Sequence, residues 1–449
     1  MKIKFMGAAG TVTGSSYILT SEGGKSILID LGMFQGPAEI DKMNHDPYEY
    51  DCSLLVGGIL THAHLDHCGR LPIVLKSGFR GDIWMTAPTA ELARLALLDT
   101  AKIAKNDFEE ILFDKDEALA ISDRFRTVDY HQPISIGDFE VTFFDAGHII
   151  GSAFLEIIDK SALTGSKKIV FSGDLGNTPE ELVRATETIT NADVVVMEST
   201  YGDRFHPDED AIDILQQEIN IIENNQGTLL IPAFALERSQ ELLHMINHLK
   251  QSQKVKDSTP IFIDSPMAEK ATEIYLKYPS IFNDHIRGEF RHSNPFTFAG
   301  LQIIRDHSDS EAIHAYNGAK VIIAGSGMMT GGRILSHAIK YLPEVRNRLL
   351  IVGYQGEGTI GRLLSEGEKR VDIEGVEVVV NATISKTEGM SSHADQRQLL
   401  DWLKKITGVS KVILTHGEDV PRRVLSEKIQ SELGISDIFL PIIHQEIEF

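Results

Sequence analysis

The run THAHLDHCG places His62, His64, Asp66 and His67 within six positions. Imidazole and carboxylate are the donor types that suit zinc and similar borderline ions. His62 and His64, two residues apart at the end of an apolar strand, point to one face. A helix starting near Asp66 turns Asp66 and His67 toward a second, adjacent ion. A histidine-rich surface turn is the plainer reading, but four ligand-type residues packed between an apolar strand and a helix favour a metal site. His148 in DAGHIIGS, Asp174 in FSGDLGN and His416 in VILTHGE each follow an apolar strand and stand beside glycine, which admits close backbone approach. Any one of them alone reads as an ordinary loop residue. The shared context makes each a candidate ligand. Asp30, closing SILIDLG, fits a carboxylate that accepts a hydrogen bond from a ligand histidine and fixes its orientation. Cys68 reads as a small buried hydrophobe, and His131, His244 and His337 as structural histidines.

The elements that must position these residues follow from the hydrophobic pattern. KIKFMG, SSYILT and KSILIDLG read as three successive strands, and SLLVGGILTHAH as a fourth that ends in the histidines. A helix is expected from Asp66 to Lys76, although Pro72 complicates it. Apolar residues at three- and four-residue spacing predict a long helical region from Thr89 to Arg126. Strand-like runs return at FEVTFFDAG, SAFLEIID, KKIVFSGD and DVVVMEST. Mostly β text with a few covering helices predicts packed sheets flanked by helices. Near Gly202 the rhythm changes. GTLLIPAF, TPIFIDSP, AKVIIAGSG and NRLLIVGY are continuous apolar runs separated by helical segments, as in a parallel sheet buried on both faces. From Val371 onward strand-rich text returns. The expected division is 1–206 and 369–449 as one domain, with 207–368 as an inserted α/β domain.

Composition bounds the function. The chain has 449 residues, 42% of them hydrophobic, enough for large cores without disulfides. Only Cys52 and Cys68 occur, no run is long enough to cross a membrane, and no secretory signal opens the chain. A cytoplasmic setting is the default. Forty-three Lys and Arg against 65 Asp and Glu leave a net charge of −22, which argues against tight, sequence-blind adhesion to nucleic acid. Catalysis on a phosphate survives this, because bound divalent cations are the largest local charges in such a site.

Asp30, the HAHLDH run, His148 and Asp174 resemble, in order and context, the signature of the metallo-β-lactamase superfamily. ESTYG with Glu198, SSHAD with His393 and LTHG with His416 resemble the additional motifs of its β-CASP branch, and IPAFALERSQELL, DSPMA, GSGMMTGGR and VGYQGEGTIGR resemble that branch's inserted domain. The resemblance implies an αββα sandwich carrying an inserted α/β domain, with the active site in the cleft between them. It implies two zinc ions, one held by His62, His64 and His148, the other by Asp66, His67 and His416, with Asp174 bridging. Such paired ions activate a water and stabilise both oxygens of an in-line displacement. Asp66, Glu198 and His393 are the implied catalytic residues, the last two as a pair whose imidazole protonates the leaving oxygen. Ser391 is the implied phosphate contact, and Ser392 stands where the branch usually has Gly or Ala. Arg238, Arg333 and Arg362 are candidates for the RNA backbone, each with a structural ion pair as the plainer reading. GSGMMTGGR lacks the Lys-Ser/Thr ending of a nucleotide-binding loop.

Histidine rather than valine at position 416 matches the RNA-processing members. The expected activity is endonucleolytic hydrolysis of single-stranded RNA, with no membrane involved and a homodimer allowed for. Another metallo-hydrolase substrate (single-stranded DNA or a small phosphodiester) and 5′→3′ exonucleolysis are the alternatives. A non-enzymatic scaffold predicts missing ligands, and none is missing.

Overall fold

The computed structural model describes residues 1–106, 111–162, 167–178, 181–387 and 389–449. They form two compact units, Met1–Phe205 with Ser392–Phe449, and His206–Ser391.

The first unit is a pair of sheets. Strands β1 (Lys2–Phe5), β2 (Ser16–Thr20), β3 (Ser26–Leu31), β4 (Leu55–Ile59), β5 (Ile83–Met85) and β6 (Phe125–Thr127) lie side by side in chain order. Strands β7 (Ile134–Ile136), β8 (Phe139–Asp145), β9 (Ala153–Asp159), β10 (Lys168–Phe171) and β11 (Val194–Met197) begin the second sheet. Period-two burial is plain along β8, whose FEVTFFD alternates buried and half-buried residues. Ile3, Phe5, Leu19, Ile27 and Ile29 of one sheet meet Val141, Phe143, Leu155, Ile157, Phe171 and Val196 of the other in one core. β11 is buried at every position, since its second face also packs inward. There Val195 and Met197 join Leu399, Trp402 and Leu403 of the helix Gln396–Lys404. The helices Leu65–Cys68 and Ala87–Asn106 pack on the first sheet. Helix, sheet, sheet and helix thus follow one another as four layers.

The second unit is built on a parallel sheet. Its strands are β12 (Thr228–Pro232), β13 (Ile261–Asp264), β14 (Leu301–Ile303), β15 (Lys320–Ala324) and β16 (Arg348–Ile351), followed by the hairpin β17 (Arg370–Ile373) and β18 (Val376–Val379), then β19 (Thr383–Lys386). The sheet order is β14-β13-β15-β12-β16-β19, every pairing parallel. The four continuous apolar runs supply its centre, and Leu230, Ile322, Ala324, Leu349 and Ile351 are buried there against Ile334, Leu335 and Ala338. The chain then returns to the sandwich through β20 (Lys411–Leu414), β21 (Ile438–Phe439) and β22 (Glu446–Glu448). β20 pairs parallel to β11, and β22 closes the first sheet against β1.

Three expectations shift. Residues 369–391 stay with the inserted unit, because β17 and β18 pair with each other and β19 pairs with β16. Short half-exposed strands read alike in either domain, so composition alone misplaced them. The helix expected from Asp66 to Lys76 is two single turns, Leu65–Cys68 and Ile73–Lys76, broken where Pro72 lacks an N–H to continue the ladder. The helical region from Thr89 to Arg126 is two helices, Ala87–Asn106 and Lys115–Ser122, and it ends in β6, an edge strand too short to show alternation. Residues 107–110 of that stretch lie outside the described residues. Among the described residues no helix is long and apolar enough to cross a membrane.

Both tryptophans, Trp84 and Trp402, belong to the sandwich, so their fluorescence reports on that unit. Phe143 is fully buried between its sheets. Phe143→Ala is expected to cost about 3–5 kcal/mol, read as a lower urea midpoint of tryptophan fluorescence.

Candidate active site

Strands β10, β11 and β20 are parallel neighbours. β8 runs in the same sense, because β9 is antiparallel to both β8 and β10. Their carboxyl ends therefore face one edge. Asp174 follows β10, Glu198 follows β11, His416 follows β20 and His148 follows β8. From the first sheet, β4 delivers His62 and His64 on the loop beyond its end and Asp66 and His67 on the helix Leu65–Cys68. Two glycines make the convergence sterically possible. A Cβ on Gly32 would lie 1.5 Å from the Asp66 carbonyl oxygen, and one on Gly176 would lie 1.7 Å from that of Gly147. The turn bearing Asp66 and the two loops bearing His148 and Asp174 could not sit this close with larger residues.

The side chains gather into two overlapping sets, His62, His64, His148 and Asp174, and Asp66, His67, Asp174 and His416, each with donor atoms within 4.8 Å of one another. Asp174 divides itself between them. Its Oδ2 lies 3.5 Å from His62 Nε2 and 3.7 Å from His148 Nε2. Its Oδ1 lies 3.2 Å from His67 Nε2. His148 Nε2 and His64 Nδ1 face each other at 3.1 Å, and Asp66 Oδ2 stands 3.5 Å from His416 Nε2.

The outer ring nitrogens are anchored from behind. His148 Nδ1 donates to the Ser392 carbonyl at 2.9 Å, and His67 Nδ1 donates to Asp30 Oδ2 at 2.7 Å. Each bond turns a lone pair on the other nitrogen inward. Asp30 is itself held by the Thr61 amide and hydroxyl, both at 2.8 Å. Thr200 Oγ1 lies 3.0 Å from His416 Nδ1. Asp30 and His416 both adopt left-handed backbone, φ 55° and 46°, a strain that surrounding structure sustains at functional positions.

This donor set fits metal ions on its own evidence. Among the described residues, His62 Nε2 and both oxygens of Asp174 are buried without any hydrogen-bond partner. A buried carboxylate left so is costly, and cations facing both oxygens remove the cost. Burial pushes His62 and His148 well below the ordinary imidazole value and His64 to about 4, keeping them in the neutral form that binds metal. Burial opposes ionisation of Asp66 and Asp174, but the hydrogen bond from His416 holds Asp66 down at about 2 and the surrounding imidazoles hold Asp174 well below its usual range.

Glu198 and His393 stand beside these sets. Glu198 is buried, its Oε1 taking the Leu175 amide at 2.8 Å and lying 3.3 Å from His393 Nδ1. His393 Nε2 is 3.9 Å from Asp174 Oδ2. Burial works against its protonation, but the carboxylates of Glu198 and Asp174 overcome this and lift it to about 9. Ser391 is buried in the inserted unit, two positions before His393. The three arginines also lie in that unit, each on a carboxylate of its own domain. Arg238 pairs with Glu241 in the core, Arg333 Nη1 donates to Asp264 at 2.6 Å, and Arg362 Nε donates to Glu366 at 2.5 Å. Thr61, Thr200 and the Ser392 carbonyl were not legible as site residues. Thr61 precedes His62 and Thr200 stands two residues after Glu198, and nothing else in the sequence marks either.

A two-sheet sandwich with this donor set at its strand ends defines a metal-dependent hydrolase. Residues 18–200 match the metallo-beta-lactamase superfamily domain, 239–364 the Beta-Casp domain, and 377–441 the Zn-dependent metallo-hydrolase RNA specificity domain. The chain is 36% identical over 424 residues to Ribonuclease TTHA0252 of Thermus thermophilus, covering 93% of this chain and 94% of that one. It is 31% identical to Endoribonuclease YSH1 of Kluyveromyces lactis over 96% of this chain and 57% of the yeast protein. To Transcription termination factor FttA of Methanosarcina mazei it is 30% identical, over 94% and 68%. It thus spans nearly all of the Thermus relative but little more than half of the yeast one. A crystal structure of a protein of unknown function from Enterococcus faecalis V583 shares the fold, with a TM-score of 0.54 at 12% identity over 99% of both chains. The chain belongs to the β-CASP branch of the metallo-β-lactamase superfamily.

Asp30→Asn keeps the size of the side chain but turns an NH₂ toward either Thr61 or His67 Nδ1. It is expected to weaken divalent-metal binding about 10–100-fold, measured by competition with a chromophoric chelator.

Proposed function

We propose that this enzyme hydrolyses phosphodiester bonds within single-stranded RNA, using two zinc ions shared through Asp174. The observation that carries the reading is the division of Asp174, one oxygen toward His62 and His148 and the other toward His67. His62, His64 and His148 would hold one ion and Asp66, His67 and His416 the other. Zinc at these positions supplies Lewis acidity, which lowers the pKa of water and neutralises charge on the phosphate.

The chain's own groups position the water and supply the leaving oxygen's proton. Asp66, held ionised by His416 and its neighbours, orients the attacking water, whose proton passes to solvent as its oxygen bonds to phosphorus. Glu198 fixes the His393 ring through Nδ1, so that Nε2 carries the proton given to the leaving oxygen as its bond to phosphorus breaks. Raised basicity keeps that proton on His393 at neutral pH. RNA as substrate is supported by the matched RNA specificity domain and by relatives named ribonuclease and endoribonuclease. A net charge of −22 fits a substrate gripped at the metal site rather than by a basic surface.

A time course on 5′-labelled single-stranded RNA tests this. Zinc-loaded enzyme is expected to give internal cuts, and Asp66→Ala/His67→Ala none. Intact RNA with both ions bound, or equal cleavage by both proteins, contradicts the proposal, and stepwise trimming replaces it with an exonuclease. Glu198→Gln and His393→Gln are each expected to lower kcat about 10²–10⁴-fold, with zinc content by elemental analysis unchanged.

A further inference from the structure

The inserted unit holds a second convergence of imidazole and carboxylate that no step above uses. His244 and His248 are four residues apart on the helix Arg238–Gln251 and share one face. His285 and Glu289 have the same spacing on the helix Asp284–Glu289. The two pairs meet. Glu289 places Oε2 3.0 Å from His244 Nε2 and Oε1 2.8 Å from His248 Nε2, while His285 Nδ1 lies 3.4 Å from Oε1. The imidazole centroids are 4.4, 5.9 and 6.4 Å apart, comparable to the 4.9–5.0 Å among His62, His64 and His148. One donor atom each from His244, His248 and Glu289 falls within 4.8 Å of the other two.

Hydrogen bonding alone explains this poorly. One imidazole suffices to orient a carboxylate, whereas here three rings from two helices turn to the same one. Two histidines a helical turn apart with a carboxylate opposite are a donor set for a borderline divalent ion. His244 is buried, and His248 and His285 reach solvent, giving an ion a route in. The helix bearing Glu289 has six residues, too few to persist without tertiary support, so tying it to the fourteen-residue helix has a structural consequence.

We propose that His244, His248 and Glu289, with His285 placed to add a fourth donor, bind a zinc-class divalent cation that clamps these two helices. The site lies wholly within the inserted unit, and it stands or falls independently of the reaction at Asp174.

The test uses the full chain, stripped with chelator, reloaded with zinc, desalted and analysed for metal. His248→Ala/His285→Ala removes two solvent-reaching donors and is expected to lower bound zinc by one equivalent. Glu289→Gln preserves shape while weakening the ligand, and it is expected to do the same, so that a folding defect in the alanine protein cannot decide the matter. Asp66→Ala/His67→Ala retains the clamp ion, and in that background zinc should raise the melting temperature of the inserted unit unless Glu289→Gln is added. Unchanged zinc content in Glu289→Gln, or a zinc-dependent melting shift that survives it, overturns the proposal.

Discussion

The side chain on which the sandwich site depends is Asp174, a carboxylate buried at its centre with neither oxygen hydrogen-bonded among the described residues. A charge in that position is tolerated only when opposite charge faces it. Burial keeps His62 and His148 neutral. Burial also opposes protonation of His67 and His393, but the carboxylates of Asp174 and Asp30 raise His67 well above the ordinary imidazole value, and those of Glu198 and Asp174 lift His393 to about 9. Those two rings are the counter-charge the chain itself offers, and divalent cations would take over that part while leaving the rings neutral to ligate. The features that make the protein alone uncomfortable are the ones that make a metal complex stable.

Much of the fold serves this arrangement. Parallel pairing of β10, β11 and β20 brings Asp174, Glu198 and His416 to one edge, and the core between the sheets fixes β4 opposite them. Gly32 and Gly176 remove the side chains that would hold the loops apart. Hydrogen bonds then set ring orientation, through Asp30 on His67 and the Ser392 carbonyl on His148. Two residues of the site, Asp30 and His416, hold left-handed backbone to reach their partners, and the packed sheets beneath them bear that strain.

The ligand-type residues could be read in the sequence because each follows an apolar strand and is flanked by glycine or by another ligand. The parallel sheet of the inserted unit was equally plain, since strands buried on both faces are continuously apolar. Through-space features were not. Thr61 and Thr200 are common residue types that matter only for what they touch. Residues 369–391 lie in the inserted unit because of how β19 pairs, which their composition does not encode. The contact of His244 with Glu289 spans forty-five residues, which no local pattern displays. The same holds for His248, with Glu289 forty-one residues away.

The central claim is that Asp174 bridges two metal ions, and anomalous diffraction from zinc-soaked crystals at the zinc edge tests it most directly. The account predicts two peaks flanking the Asp174 carboxylate, about 3.5–4 Å apart, one beside His62, His64 and His148 and the other beside Asp66, His67 and His416. A single peak, or none at Asp174 while zinc binds elsewhere, would contradict it.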